Sequence, residues 1–220
     1  MTRDEAYKLL IEMVQNVNLR KHGLAVEAIM GALCKYLKTH SSLQGVPPSG
    51  LSSSSPSLRV EDLRVEDLEP EEEEFNEEVW AIVGLLHDAD YELVEKDPDR
   101  HTLVTEEKLR PLGVSERIIN GIKAHHDGIK ESRENLMERS VYAADELSGL
   151  ITAAALVRPD KKLASLTVES VLKRFKEKSF AAGANREQIL ACEKELNIPL
   201  EEFVAIALKA MQGISSELGL

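Results

Sequence analysis

The chain has 220 residues, 43% of them hydrophobic and only 4% aromatic, with a formal net charge of −12. That is enough for a sizeable core, and few aromatics beside abundant Ala, Leu and Glu favour helices over strands. No apolar run approaches the roughly 18 residues of a membrane span, the acidic start lacks a signal region, and the charge argues against a nucleic-acid polymer as partner. A cytoplasmic protein is therefore expected. Most of the acidity belongs to one segment: eleven acids against two arginines lie between Arg59 and Glu78. The two cysteines, Cys34 and Cys192, fall in helical patterns and form no ligand-like pair, so both are expected to be reduced.

In chain order, apolar residues at helical spacing predict a first helix over 2–14, carrying Ala6, Leu9, Leu10, Met13 and Val14. Asn18 is a candidate N-cap for a second helix from about Leu19 to Leu37, with His22 in its first turn. Residues 39–74 differ in kind. They are rich in Ser, Gly and Pro, then carry the tandem Arg59-Val60-Glu61-Asp62-Leu63 and Arg64-Val65-Glu66-Asp67-Leu68 before an acidic run. Such composition buries too little apolar surface to offset chain ordering, so a flexible insertion is expected within a single domain spanning 1–220.

A third helix, from about Glu74 to Leu86, ends in His87-Asp88, with Asp90 and Glu92 close behind. Imidazole beside carboxylate at the end of a buried helix suits a divalent transition metal. His101 follows in a polar connection, then a short helix near Glu106 to Leu112. Another helix starts at Ser115 and ends in His125-His126-Asp127-Gly128, the glycine reading as its C′ stop. A long helix over Leu136 to Leu156 buries Asp145 in an otherwise apolar stripe. A buried acid is costly unless it is paired or binds an ion. Helices over about Val168 to Lys178, Arg186 to Glu195 and Leu200 to Leu218 complete an all-α chain.

Taken in order, His22, His87-Asp88, the later histidines and Asp145 resemble the signature of the HD (His-Asp) superfamily of metal-dependent phosphohydrolases. The stretches that carry the resemblance, to a subgroup of small HD-domain proteins, are Arg20-Lys21-His22-Gly23-Leu24-Ala25-Val26-Glu27, Gly84 to Glu92, Ala124-His125-His126, Ala143 to Leu150 and Phe180 to Glu187. Only residues 39–74 fall outside it. The resemblance implies an HD-type helical bundle with added C-terminal helices. In it His22, His87, Asp88 and Asp145 hold one divalent ion (Mn, Fe, Co, Ni, Zn or Mg). His101, with His125 or His126, falls where some members hold a second. Asp88, Asp90 and Glu92 are the candidate catalytic acids, Asp90 or Glu92 orienting water or taking its proton. Arg20, Lys21, Lys123, Arg158, Lys161 and Lys162 are candidate phosphate contacts. The implied substrate is a small phosphorylated molecule, nucleotides first by family analogy, and a homo-oligomer is compatible with the sequence.

Absences narrow the reading. There is no Gly-rich phosphate loop ending in Gly-Lys-Ser/Thr, no Cys-x-x-Cys pair, and no Gly-Tyr-Pro after the histidines of the kind found in the cyclic-dinucleotide branch. The chain has no room for an alarmone synthetase domain. The rival readings are a non-catalytic regulatory module that binds metal or nucleotide, and a helical interaction domain with an acidic docking insertion.

Overall fold

Val79 to Leu86 offers no polar residue on any side, and a helix that is apolar all round has to be surrounded. The computed structural model of the chain describes residues 1–44, 74–95, 97–130 and 132–220, and in it this run is the central helix. The helices are α1 (Arg3–Met13), α2 (Val17–Gln44), α3 (Glu77–Leu86), α4 (Leu103–Leu109), α5 (Glu116–Lys123), α6 (Leu136–Leu156), α7 (Val168–Lys176), α8 (Arg186–Ile189), α9 (Ala191–Glu195), α10 (Leu200–Gly213) and α11 (Ser215–Leu218). No strand occurs among the described residues, so the fold is all-α as expected. No described helix is long and apolar enough to cross a membrane.

Helix α3 packs against α1, α2, α5 and α6, which buries Trp80, Ile82, Val83, Leu85 and Leu86. Trp80 meets its one polar demand by donating Nε1–H to the Glu74 carbonyl at 2.9 Å. Glycine sets the α2–α3 crossing. A Cβ on Gly84 would lie 2.7 Å from the Val26 carbonyl oxygen, and one on Gly23 2.8 Å from that of Leu85. The two backbones therefore touch, and the contact carries His22, next to Gly23, up to His87 just past the end of α3. Helix α6 crosses the other side of α2 with Met137, Val141, Ala144, Leu147 and Ile151 buried. Helices α7 to α10 close over α6, and the buried apolar residues join in one cluster from Ala6 to Leu218. Cys34 and Cys192 are free and buried in it.

Most predicted elements stand with small shifts at their ends, and α6 runs over the predicted residues. Four details differ. Helix α2 starts earlier because Asn16, not Asn18, caps it: the Asn16 side chain accepts from the Asn18 N–H at 2.8 Å and the Leu19 N–H at 3.4 Å. It also runs past Leu37 to Gln44, where His40 bonds back through Nδ1 to the Tyr36 carbonyl at 2.7 Å and stacks on its ring. Gly128 is no helix stop, since α5 ends at Lys123 and His125 to Gly128 form the following turn. The C-terminal segments break at Leu190 and Ile214, which divide the last two predicted helices. The expected flexible insertion lies, from residue 45 to 73, outside the described residues.

Candidate metal centre

Five of the six histidines converge at one end of the α2–α3–α6 packing. His22 comes from α2, His87 and Asp88 from the end of α3, and His101 from the turn before α4. His125 and His126 follow α5, and Asp145 sits midway along α6. The ligand-type atoms fall into two sets, His22–His87–Asp145 and Asp88–His101–His125, each within 4.8 Å. In the first, His22 Nε2 lies 3.0 Å from Asp145 Oδ1 and 3.0 Å from His87 Nε2. In the second, His101 Nε2 lies 2.9 Å from His125 Nε2 and 3.1 Å from Asp88 Oδ1. Asp88, a member of the second, also reaches towards the first: its Oδ2 faces His22 at 3.5 Å and His87 at 3.7 Å, while its Oδ1 faces His101 and His125.

Each of these four imidazoles is held by its far nitrogen. A carbonyl can only accept, so His87 Nδ1–H donates to Gly84 at 2.8 Å and His125 Nδ1–H to Ile122 at 2.6 Å. His101 Nδ1–H donates to Asp90 Oδ1 at 2.8 Å, and His22 Nδ1 meets the Ser148 hydroxyl at 2.9 Å. In the neutral rings of His87, His101 and His125 the proton is thus outside, and Nε2 points a bare lone pair inward. As long as His101 and His125 are neutral, His101 Nε2, His125 Nε2 and Asp88 Oδ1 are three acceptors with no proton among them. They repel one another unless a cation sits between them, and such outer hydrogen bonds are how metal-binding histidines are oriented. The residues fit a divalent ion in each set.

The electrostatics agree. Burial alone would lower the His87 pKa, but Asp88 and Asp145 overturn it and raise it to about 9. Burial also opposes a charged His101, yet bonds to Asp88 and Asp90 raise it to about 9. Burial would raise Asp88 and Asp145, but the histidines hold both well below the usual carboxylate range. A field that attracts a proton this strongly attracts a metal ion.

Asp90 is buried and does not face the cavity over the centre. It accepts from His101 and from the N–H groups of Thr102 at 3.0 Å and Thr105 at 2.9 Å. Thr102 takes φ 72, a left-handed conformation that is costly for a β-branched residue. The turn accepts it and directs ring and amide at one carboxylate. Asp90 thus positions His101 instead of meeting the water. Glu92 is exposed, and its Oε2 accepts from the Gln15 and Asn16 N–H groups at 2.7 and 2.9 Å. It closes the α1–α2 turn. Glu92→Ala is expected to cost about 1 kcal/mol in denaturant unfolding, with metal content unchanged. Lost metal would restore Glu92 to the centre.

The six predicted phosphate contacts are placed elsewhere, and none lines the cavity. Arg20 donates back to the Val14 and Ile11 carbonyls, Lys21 Nζ lies over Gly219, and Lys123 pairs with Glu106 at 2.7 Å. Arg158, Lys161 and Lys162 follow the end of α6, which is about 16 Å along the axis from Asp145. His126 lines the cavity but joins neither set. Its Nδ1 accepts from the Gly128 N–H at 3.0 Å, so the neutral ring carries its proton on Nε2.

The cavity, about 510 Å³, is also lined by Tyr91, Asp127, Glu146 and Gln188, which the sequence reading did not single out. Tyr91 and Glu146 directly follow residues that it did name, and Ser148 lies one turn beyond Asp145 on the same face. Nothing local marks Gln188, which arrives from α8 through the packing of α8 on α6.

A family model described as HD domain matches residues 19–150, more than half of the chain and the whole stretch from His22 to Asp145. No curated protein and no solved structure matches the chain. With the ordered His and Asp residues and the helical bundle that carries them, the match is decisive: the chain belongs to the HD domain family.

Proposed function

We propose that the protein is a metal-dependent phosphohydrolase acting in the cytoplasm on a small phosphorylated molecule, with a nucleotide as the class that family analogy puts first. One observation carries the reading: Asp88 turns one oxygen to each of two histidine-bearing ligand sets, an arrangement that suits two divalent ions held side by side. Bound there, the ions would make water more acidic and neutralise charge on phosphoryl oxygens. The chain's own residues do the rest. Gly84, Ile122, Asp90 and Ser148 fix the four rings, so the ligands need little reorganisation. Water adds to phosphorus, the phosphorus–oxygen ester bond breaks, and the leaving oxygen needs a proton. The proton shed by the attacking water reaches that oxygen through solvent in the cavity, and His126, lining the cavity with its N–H on Nε2, is placed to hydrogen-bond to the leaving oxygen or a phosphoryl oxygen. A cavity, and not a basic surface, receives the substrate, which favours a small molecule over a polymer.

Elemental analysis of the purified protein, beside turnover of a phosphomonoester and nucleotide panel before and after chelation, tests this. Bound divalent metal is expected, with hydrolysis lost on stripping and restored by adding metal back. Hydrolysis that survives full removal of metal would refute the mechanism. Metal without turnover across the panel would favour the regulatory module.

A further inference from the structure

The cavity over the centre does not stop at Glu146 and Gln188. On the far side of His22 and Tyr91, which line both, a second lobe of about 560 Å³ runs towards the α1–α2 turn, walled by Glu92 and Glu95. Among the described residues no lysine or arginine lines either lobe. Arg133, beside the lining residue Asp127, is already engaged: it pairs with Asp127 and lies over the Tyr142 ring. Asp127 also accepts from the Tyr142 hydroxyl at 2.9 Å, so arginine and tyrosine hold that carboxylate in place at the cavity wall.

Neutral donors on the wall, such as the His126 Nε2–H and the Tyr91 hydroxyl, stand beside acceptors and carboxylates. Glu146 uses Oε2 to take the Asn185 N–H at 2.9 Å. The Gln188 side chain is oriented by the Tyr142 carbonyl, which accepts from its Nε2 at 2.9 Å. That contact uses one of its two N–H donors, so Gln188 has Oε1 and one N–H left to offer, and no charge. Glu92 is fixed by the two backbone N–H groups of the α1–α2 turn and lines the second lobe.

If the centre works as proposed above, two divalent ions offset two ligand carboxylates and leave a surplus of positive charge. One phosphoryl group uses that surplus. A second would have to lie along a wall of carboxylates that, among the described residues, has no lysine or arginine to receive it, and like charges brought together are strongly disfavoured. Hydroxyl or ammonium groups, by contrast, meet acceptors in both lobes. We infer that the substrate is a phosphomonoester with a single phosphoryl group, whose alcohol part is uncharged or cationic and rich in hydrogen-bond donors. The inference rests on the hydrolase reading and restricts it: a nucleotide substrate would be a monophosphate, and di- and triphosphates would be rejected by the walls.

The test uses the full chain loaded with Mn²⁺. Turnover is measured for adenosine mono-, di- and triphosphate, and for 2-aminoethyl phosphate against ethyl phosphate. Binding of the non-hydrolysable phosphonate counterparts is measured by calorimetry. The single-phosphate and amine-bearing members are expected to win by at least about tenfold. In Gln188→Lys, whose ammonium can keep the bond to the Tyr142 carbonyl, the diphosphate should gain about tenfold on the monophosphate. In Glu146→Gln, which keeps an acceptor for Asn185, the preference for the amine should shrink. Thermal melting confirms that both variants fold. Di- or triphosphates handled as well as monophosphates would overturn the inference and leave the hydrolase reading intact. With no turnover anywhere the hydrolase reading falls, and the calorimetric order alone then decides the inference: a single-phosphate preference sustains it, while equal, reversed or absent binding ends it.

Discussion

Asp88→Ala is expected to empty both halves of the centre at once. Elemental analysis should find about two divalent ions per wild-type chain and close to none in this variant. His101→Ala, which touches one set alone, should keep about one. The asymmetry follows from the geometry: Asp88 is the one carboxylate with an oxygen in reach of both sets, Oδ2 at 3.5 Å from His22 and Oδ1 at 3.1 Å from His101. Turnover should fall by about a thousandfold or more, since several kcal/mol of charge stabilisation is lost. Asp145→Ala separates this from general damage. It removes a carboxylate from the first set only, and metal should fall by half. Asp88→Ala retaining both ions would sink the shared-ligand geometry.

Gly84→Ala should be the most destabilising single methyl group in the chain. The added carbon would meet the Val26 carbonyl oxygen at 2.7 Å, the Val26 carbonyl carbon at 2.8 Å and the Glu27 nitrogen at 2.9 Å. All three are backbone atoms of α2 and cannot rotate aside, so the helices must part. Overpacking of this kind costs about 3 kcal/mol, or about 6–12 °C in melting temperature for a chain of this size. Parting α2 from α3 also draws His22 away from His87, so metal affinity should fall along with stability. Gly31→Ala, on the facing helix α2, is the control. Nothing lies within 4 Å of its added carbon, and replacing a helical glycine there should stabilise by about 0.5–1 kcal/mol. Equal melting temperatures for the two variants would show that the crossing is not set by glycine.

These two results bear on what could be read from the residues alone. Local rules sufficed where one helix decides the matter. Helix α6 has an unbroken apolar stripe with one acid, Asp145, set in it, and both are visible in order. The candidate ligands were readable for the same reason, as polar residues at the ends or in the middle of apolar helices. What escaped depended on side-chain direction and on distant partners. Asn16 and Asn18 are equally good caps by type, and only the path of the turn selects Asn16. Arg20 stands two residues from His22 but reaches back to α1. Asp90 and Glu92 follow the His-Asp pair closely, yet one is sealed beneath His101 and the other holds the α1–α2 turn. His126 and His125 are neighbours in sequence, and the turn after α5 sends only His125 to the centre. Gln188 could not have been found, because its place depends on the packing of α8 against α6.

Gln188 also lies outside residues 19–150, the span that the family model matches, although it lines the cavity. Both ligand sets come from inside that span, while one wall comes from beyond it. The candidate ligands and this one wall residue thus come from separable parts of one chain. If the centre is the hydrolase proposed above, a substitution in α8 would change which ester enters without disturbing the ligand atoms, and the same centre could be redirected to new esters.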